Sequence, residues 1–254
     1  MKRPEIDKYA SRDSQIHRFD PRAKLISFLL LIFSTVLLPN LKLALLGLTV
    51  SVFLLAASKI PPHFVLGHLK WVLFFILPFL VIMPLTVKGA PVLEIGAVEI
   101  SMEGIRFGSL VAVRALSAVI LVFPMVGTMK FTETLKALEE LKVPTFLVQM
   151  LMFTYRYIFT FLNQFSTMRR AMNSRGFKLE ANLGSLKTLG RAIGMLFVRS
   201  CERSKRVYQA MLSTGYTGHP KTLTEFELNN RDWIMAGTLL SFAFTLHILP
   251  RVVL

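Results

Sequence analysis

The chain has 254 residues, with 30 Lys plus Arg against 15 Asp plus Glu for a net charge of +15, and 53% of it is hydrophobic. With a mean hydropathy of +0.54 and a single cysteine, Cys201, it is neither a disordered chain, a collagenous chain nor a disulfide scaffold. So much apolar surface exceeds what an ordinary water-soluble enzyme of this length can bury, which leaves a small polytopic membrane protein with a strongly basic side.

Residues 1–24 carry seven basic groups: Lys2, Arg3, Lys8, Arg12, Arg18, Arg22 and Lys24. This stretch is too long for the basic region of a signal peptide, and no small-residue cleavage site follows the first apolar run, so no cleavable leader is expected. Two charge-free runs come next, Leu25–Leu41 and Leu43–Ser58, of 17 and 16 residues. The turn dipeptide Pro39-Asn40 makes them a predicted helical hairpin. Trp71–Val87, Phe107–Met129 (interrupted by Arg114) and Trp233–Pro250 complete five predicted spans. About 20 apolar residues cross the hydrocarbon core, so the shorter runs call on Lys24, Lys42, Lys59 and Lys70 to snorkel to the headgroups. A chain in lipid must satisfy its backbone internally, and these runs lack the two-residue alternation of a barrel. The predicted fold class is therefore all-α, a polytopic membrane protein with about five transmembrane helices.

Charge gives the orientation. The N-terminal stretch, the loop with Lys59, His63, His68 and Lys70, and the segment 130–231, with 16 Lys/Arg against seven Glu, are basic. The alternate loops hold Lys42 alone, or Lys88 and Arg106 beside Glu94, Glu99 and Glu103. The positive-inside bias places the N-terminus and 130–231 in the cytoplasm. The chain divides into 1–129, a cytoplasmic N-terminal segment with four spans; 130–231, a cytoplasmic module; and 232–254, the last span.

The module reads as two long amphipathic helices. After Pro144, apolar residues recur at three- and four-residue steps from Leu147 to Met172. A second stripe runs from Leu186 to Met211, with Lys187, Arg191, Arg199, Arg203, Lys205 and Arg206 on its other face. Cationic amphipathic helices serve anionic leaflets, nucleic acid or protein partners. With no recognition module in the chain, nucleic acid is not expected. Both helices close alike: Ala171-Met172-Asn173-Ser174-Arg175-Gly176-Phe177, and Ala210-Met211-Leu212-Ser213-Thr214-Gly215-Tyr216, 39 residues on. A left-handed C-cap accounts for the glycines. The repeat as a whole suggests two similar docking points on a dimeric or pseudo-dimeric partner.

These elements, together with His17-Arg18-Phe19-Asp20-Pro21-Arg22-Ala23-Lys24, Glu133 to Pro144 and Tyr155-Arg156-Tyr157, resemble the transmembrane T component of energy-coupling factor (ECF) transporters, the CbiQ/EcfT family. The resemblance implies a non-enzymatic subunit without a cofactor. It links a membrane-embedded substrate-binding S component to two cytoplasmic ATPase subunits. Its coupling helices seat their arginine-bearing ends in grooves of the ATPases, and nucleotide-driven closure moves them. The carried-over positions are Ser174, Arg175 and Gly176, then Ser213, Thr214 and Gly215. A guanidinium suits a bidentate carboxylate pair. Thr214 departs from the family's arginine, which implies a weaker second dock. Ile6-Asp7-Lys8-Tyr9-Ala10 looks more CbiQ-like, so cobalt is the expected substrate. A vitamin transporter of the same family, and a basic membrane scaffold binding anionic lipid, are the alternatives.

Other constellations are weaker. No Walker A loop occurs, so the chain itself is not expected to bind ATP. His63 and His68 have poor spacing for a shared metal. Arg114 within a span reads as a contact for the S component, an internal partner or a snorkelling residue. Arg156 can stack on a tyrosine ring. Gly104 with Gly108, and Gly190 with Gly194, would allow close helix contact.

Overall fold

The computed structural model describes residues 10, 12–87, 91–95, 98–180, 182–216, 226 and 228–252. The cobalt-favouring opening lies outside them except for Ala10. The described residues form α1 (Pro21–Val36), α2 (Leu41–Ala57), α3 (Pro62–Thr86), β1 (Pro91–Ile95), β2 (Val98–Ser101), α4 (Met102–Gly127), α5 (Phe131–Glu140), α6 (Thr145–Ser174), α7 (Leu183–Ser213) and α8 (Asn230–Val252). Helix dominates, as expected of an all-α membrane protein. The exception is the antiparallel β1–β2 hairpin, which pairs Glu94 with Glu99 and which has no period-2 apolar signal in the sequence.

The chain separates into two units, 1–137 with 226–254, and 138–225. In the first, α4 packs against α1, α2 and α3, while α8 packs on α1. Phe28, Leu31, Leu121 and Ala243 meet at its core with Ile16 of the N-terminal segment. Asp20 is the N-cap of α1, accepting from the backbone N–H groups of Arg22 and Ala23, and Pro21 stands at the first turn. α1 and α2 are joined by the Pro39-Asn40 turn, as the sequence predicts. In the second unit α6 and α7 form a helical pair.

α3, α4 and α6 are each long and apolar enough to cross a bilayer, and α2 is a shorter apolar helix. α1 has only 16 residues, about 24 Å at 1.5 Å per residue, against a hydrocarbon core of about 30 Å. The α1–α2 turn therefore ends short of the far headgroups if α1 starts at the near ones. There Leu38 is fully buried, and the Arg114 guanidinium in mid-α4 donates to its carbonyl. A turn at that depth has no water to satisfy its backbone, and Arg114 supplies the missing donor.

α3 and α4 approach closely. A Cβ on Gly104 would stand 2.6 Å from the Met83 carbonyl oxygen and 2.6 Å from Pro84 Cα, while one on Gly108 would stand 3.7 Å from Leu80 Cα. The other glycine pair differs from the expectation: nothing lies within 4 Å of a Cβ on Gly190 or Gly194, because no helix passes there. Gly104→Ala is expected to cost about 1–3 kcal/mol through overpacking against backbone. Gly190→Ala is expected to be neutral or to stabilise by up to about 1 kcal/mol from helix propensity. Thermal unfolding of both variants in detergent checks the contrast.

Candidate functional site

The two repeated helix ends adopt the same geometry. Gly176 and Gly215 both have φ +81°, in the left-handed region that favours glycine. At the first end the Phe177 N–H donates to the Met172 carbonyl at 3.1 Å and the Gly176 N–H to that of Asn173 at 3.0 Å. At the second, Tyr216 donates to Met211 at 3.0 Å and Gly215 to Leu212 at 3.1 Å. Both are Schellman caps, in which the residue after the glycine packs on the methionine three positions inside the helix end.

The cap thus explains more of the repeat than the glycines. The shared methionine and aromatic are the hydrophobic pair of the motif, and Phe177 and Met172 line one cavity of about 470 Å³ with Phe165 and Leu189. The shared serines bond back to the preceding turn, Ser174 Oγ to the Arg170 carbonyl and Ser213 Oγ to that of Ala210. Thr214 turns its hydroxyl the same way, donating to the Ala210 and Met211 carbonyls. Arg175 does not share in the cap through its side chain. It is exposed, and no described hydrogen bond or ion pair engages its guanidinium. Local structure accounts for every element of the repeat except this charge.

The ends lie at opposite extremities of the helix pair. Tyr216 donates its phenolic O–H to Gln149 Oε1 at 2.7 Å, which brings the end of α7 to the start of α6. α6 has 30 residues, about 45 Å at 1.5 Å per residue, so Gly176 and Gly215 are separated by most of that length. Between them a second cavity of about 600 Å³ opens, with Phe153, Tyr157 and Phe161 of α6 facing Val207, Tyr208 and Met211 of α7. Arg156 Cζ lies 5.9 Å from the Tyr157 ring centroid, as its tyrosine neighbours suggest. Val148 is the only described buried residue of α6. Phe146, Met150, Leu186 and Phe197 are all more than half exposed, so the pair carries far more apolar surface than its own packing uses.

In the first unit the structure assembles a cluster that the sequence does not announce. Lys24 does not snorkel: it is fully buried, and Nζ donates to Thr128 Oγ1 at 3.1 Å. Glu133, Asp20 and Asp232 are the carboxylates acting on it. Asp232 accepts from the Asp20 and Asn229 backbone N–H groups at 3.2 and 3.0 Å. Asp20 also receives the Arg22 guanidinium at 3.2 Å. A buried ammonium among carboxylates escapes the penalty an isolated ion would meet. On the surface beside it, Arg18 pairs with Asp13 at 2.7 Å and holds that carboxyl below its usual range. Arg114 is held by Leu38, and its Nε is buried without a partner among the described residues. His68 Nδ1 lies 2.9 Å from the Phe64 carbonyl oxygen, and among the described residues no group of His, Cys, Asp and Glu could hold a metal.

A family profile described as CbiQ, cobalt transport protein, matches residues 12–225. An energy-coupling factor transporter transmembrane protein EcfT of Heliobacterium modesticaldum is 26% identical over 224 residues, 84% of each chain. One of Exiguobacterium sibiricum is 30% identical over 218 residues, 81% of this chain and 82% of its own. An uncharacterised protein of Methanocaldococcus jannaschii is 27% identical over 236 residues, 89% of this chain and 80% of its own.

Proposed function

Because the chain belongs to the CbiQ/EcfT family of transmembrane T components of ECF transporters, we propose that it couples ATP hydrolysis by two cytoplasmic subunits to a membrane-embedded S component, without enzymatic activity of its own. The observation that carries this is the pair of matching caps at the far ends of α6 and α7, one bearing an exposed arginine outside the cap's own hydrogen bonds. Arg175 meets a carboxylate groove on one ATPase. The Ser213–Gly215 end meets the other with backbone and hydroxyl groups only, and holds it less tightly. The exposed apolar faces of α6 and α7 receive the S component.

Charge and parity support a cytoplasmic module in the cell membrane of a prokaryote, with the N-terminus inside. α6 is apolar enough to span. If it crossed from the N-terminal side, Arg175 and the α7 cations would lie outside, against the positive-inside bias. Cobalt is the substrate to test first, from the description of the matching family.

A tagged chain purified in mild detergent from its native membranes is expected to carry two copies' worth of ATP-hydrolysing subunits, and its membranes to take up radiolabelled Co²⁺ in an ATP-dependent manner. Recovery of the chain with lipid alone would favour a scaffold that binds anionic lipid. ATPase recovery without Co²⁺ uptake would retain the coupling role and exclude cobalt.

A further inference from the structure

The chain leaves the first unit after Ala137 and returns to it at Phe226. These two crossings are far apart in sequence, and nothing in the covalent chain obliges them to move together. The side chains that flank them do touch. Lys136 Nζ stands 4.9 Å from the Phe226 ring centroid and Arg22 Cζ 5.6 Å from it, and Arg22 Nη2 donates to the Phe226 carbonyl at 3.0 Å. Lys136 is buried. We propose that Phe226, held between Arg22 and Lys136, is a positioning residue for coupling: it clasps the chain's departure from the bundle to its return, so that motion of the α6–α7 module reaches α1 as a single input.

The chemistry of the three residues supports this. Two cations side by side repel, and an aromatic face attracts both. An aliphatic side chain of similar size would fill the space without joining them. The clasp is anchored onward. Arg22 pairs with Asp20, the N-cap of α1, and the Asp20 backbone N–H reaches Asp232 in the first turn of α8. Thus α1, α5, α8 and the returning segment converge on Arg22 and Asp20.

The inference rests on the coupling role proposed above, and its test separates the two. The full chain is purified with the subunits it carries. Nitroxide labels go on the native Cys201, which is exposed on α7, and on Leu66→Cys, exposed on α3. Pulsed EPR then reads the label distance with and without Mg-ATP. The wild-type background is expected to shift with ATP. Phe226→Leu is expected to lose at least half of that shift, while ATPase recovery and hydrolysis stay within twofold, and Phe226→Trp is expected to restore it. A full shift in Phe226→Leu overturns the clasp, as do equal defects in Leu and Trp, loss of the ATPases from Phe226→Leu, or no shift in the wild-type background. If that background recovers no ATPase, the coupling role itself falls, and the clasp with it.

Discussion

Arg175→Glu is expected to release an ATP-hydrolysing subunit from the chain. Truncating one member of a buried, hydrogen-bonded charge pair at an interface costs about 2–5 kcal/mol, which is roughly 30-fold to several thousand-fold in affinity, and reversal adds repulsion. The fold should not suffer, because Arg175 is exposed and the cap is built from backbone groups of Met172, Asn173, Gly176 and Phe177. Thr214→Ala is the matched control. Its hydroxyl is spent on the Ala210 and Met211 carbonyls, so its loss is expected to change ATPase retention by less than about fivefold, within the roughly 1 kcal/mol of a single exposed hydrogen bond. Thr214→Arg is expected to raise retention by giving the second end the charge it lacks. Quantitative co-purification of the three variants reads all of these. Equal losses from Arg175→Glu and Thr214→Ala would contradict the asymmetry.

Lys24→Met is expected to be the most destabilising single substitution in the first unit. It removes the buried ammonium and its bond to Thr128 while leaving Glu133, Asp20 and Asp232 around the site. Removing one partner of a buried ion pair costs about 3–5 kcal/mol. Lys205→Met, on an exposed position of α7, is expected to change stability by no more than about 0.5 kcal/mol. Unfolding of both variants in detergent gives the comparison. A Lys24→Met protein as stable as the wild type would mean that the cluster contributes nothing.

Local chemistry was legible in the sequence where the neighbours that decide it are close in the chain. Pro39-Asn40 marks the α1–α2 turn, the three- and four-residue stripes mark α6 and α7, and glycine followed by an aromatic marks both caps. Lys24 was not legible. A lysine beside an apolar run can reach for the headgroups or turn inward, and here the choice depends on Asp232, more than 200 residues away. Arg114 is a similar case, since its carbonyl partner at Leu38 belongs to another helix. The two glycine pairs carry the same spacing, but only Gly104 and Gly108 meet a neighbouring helix, because spacing grants close approach without supplying a partner. Phe226 sits in a stretch without periodicity, and only the fold brings Arg22 and Lys136 to its ring.

The most direct measurement is site-specific photo-crosslinking in native membranes, with a photoreactive residue placed in turn at Ser174 and at Ser213. The account predicts ATP-sensitive adducts with an ATP-hydrolysing subunit from both positions, stronger from Ser174 beside the exposed arginine. Adducts with lipid alone, or labelling of either position by a membrane-impermeant reagent from outside the cell, would contradict it.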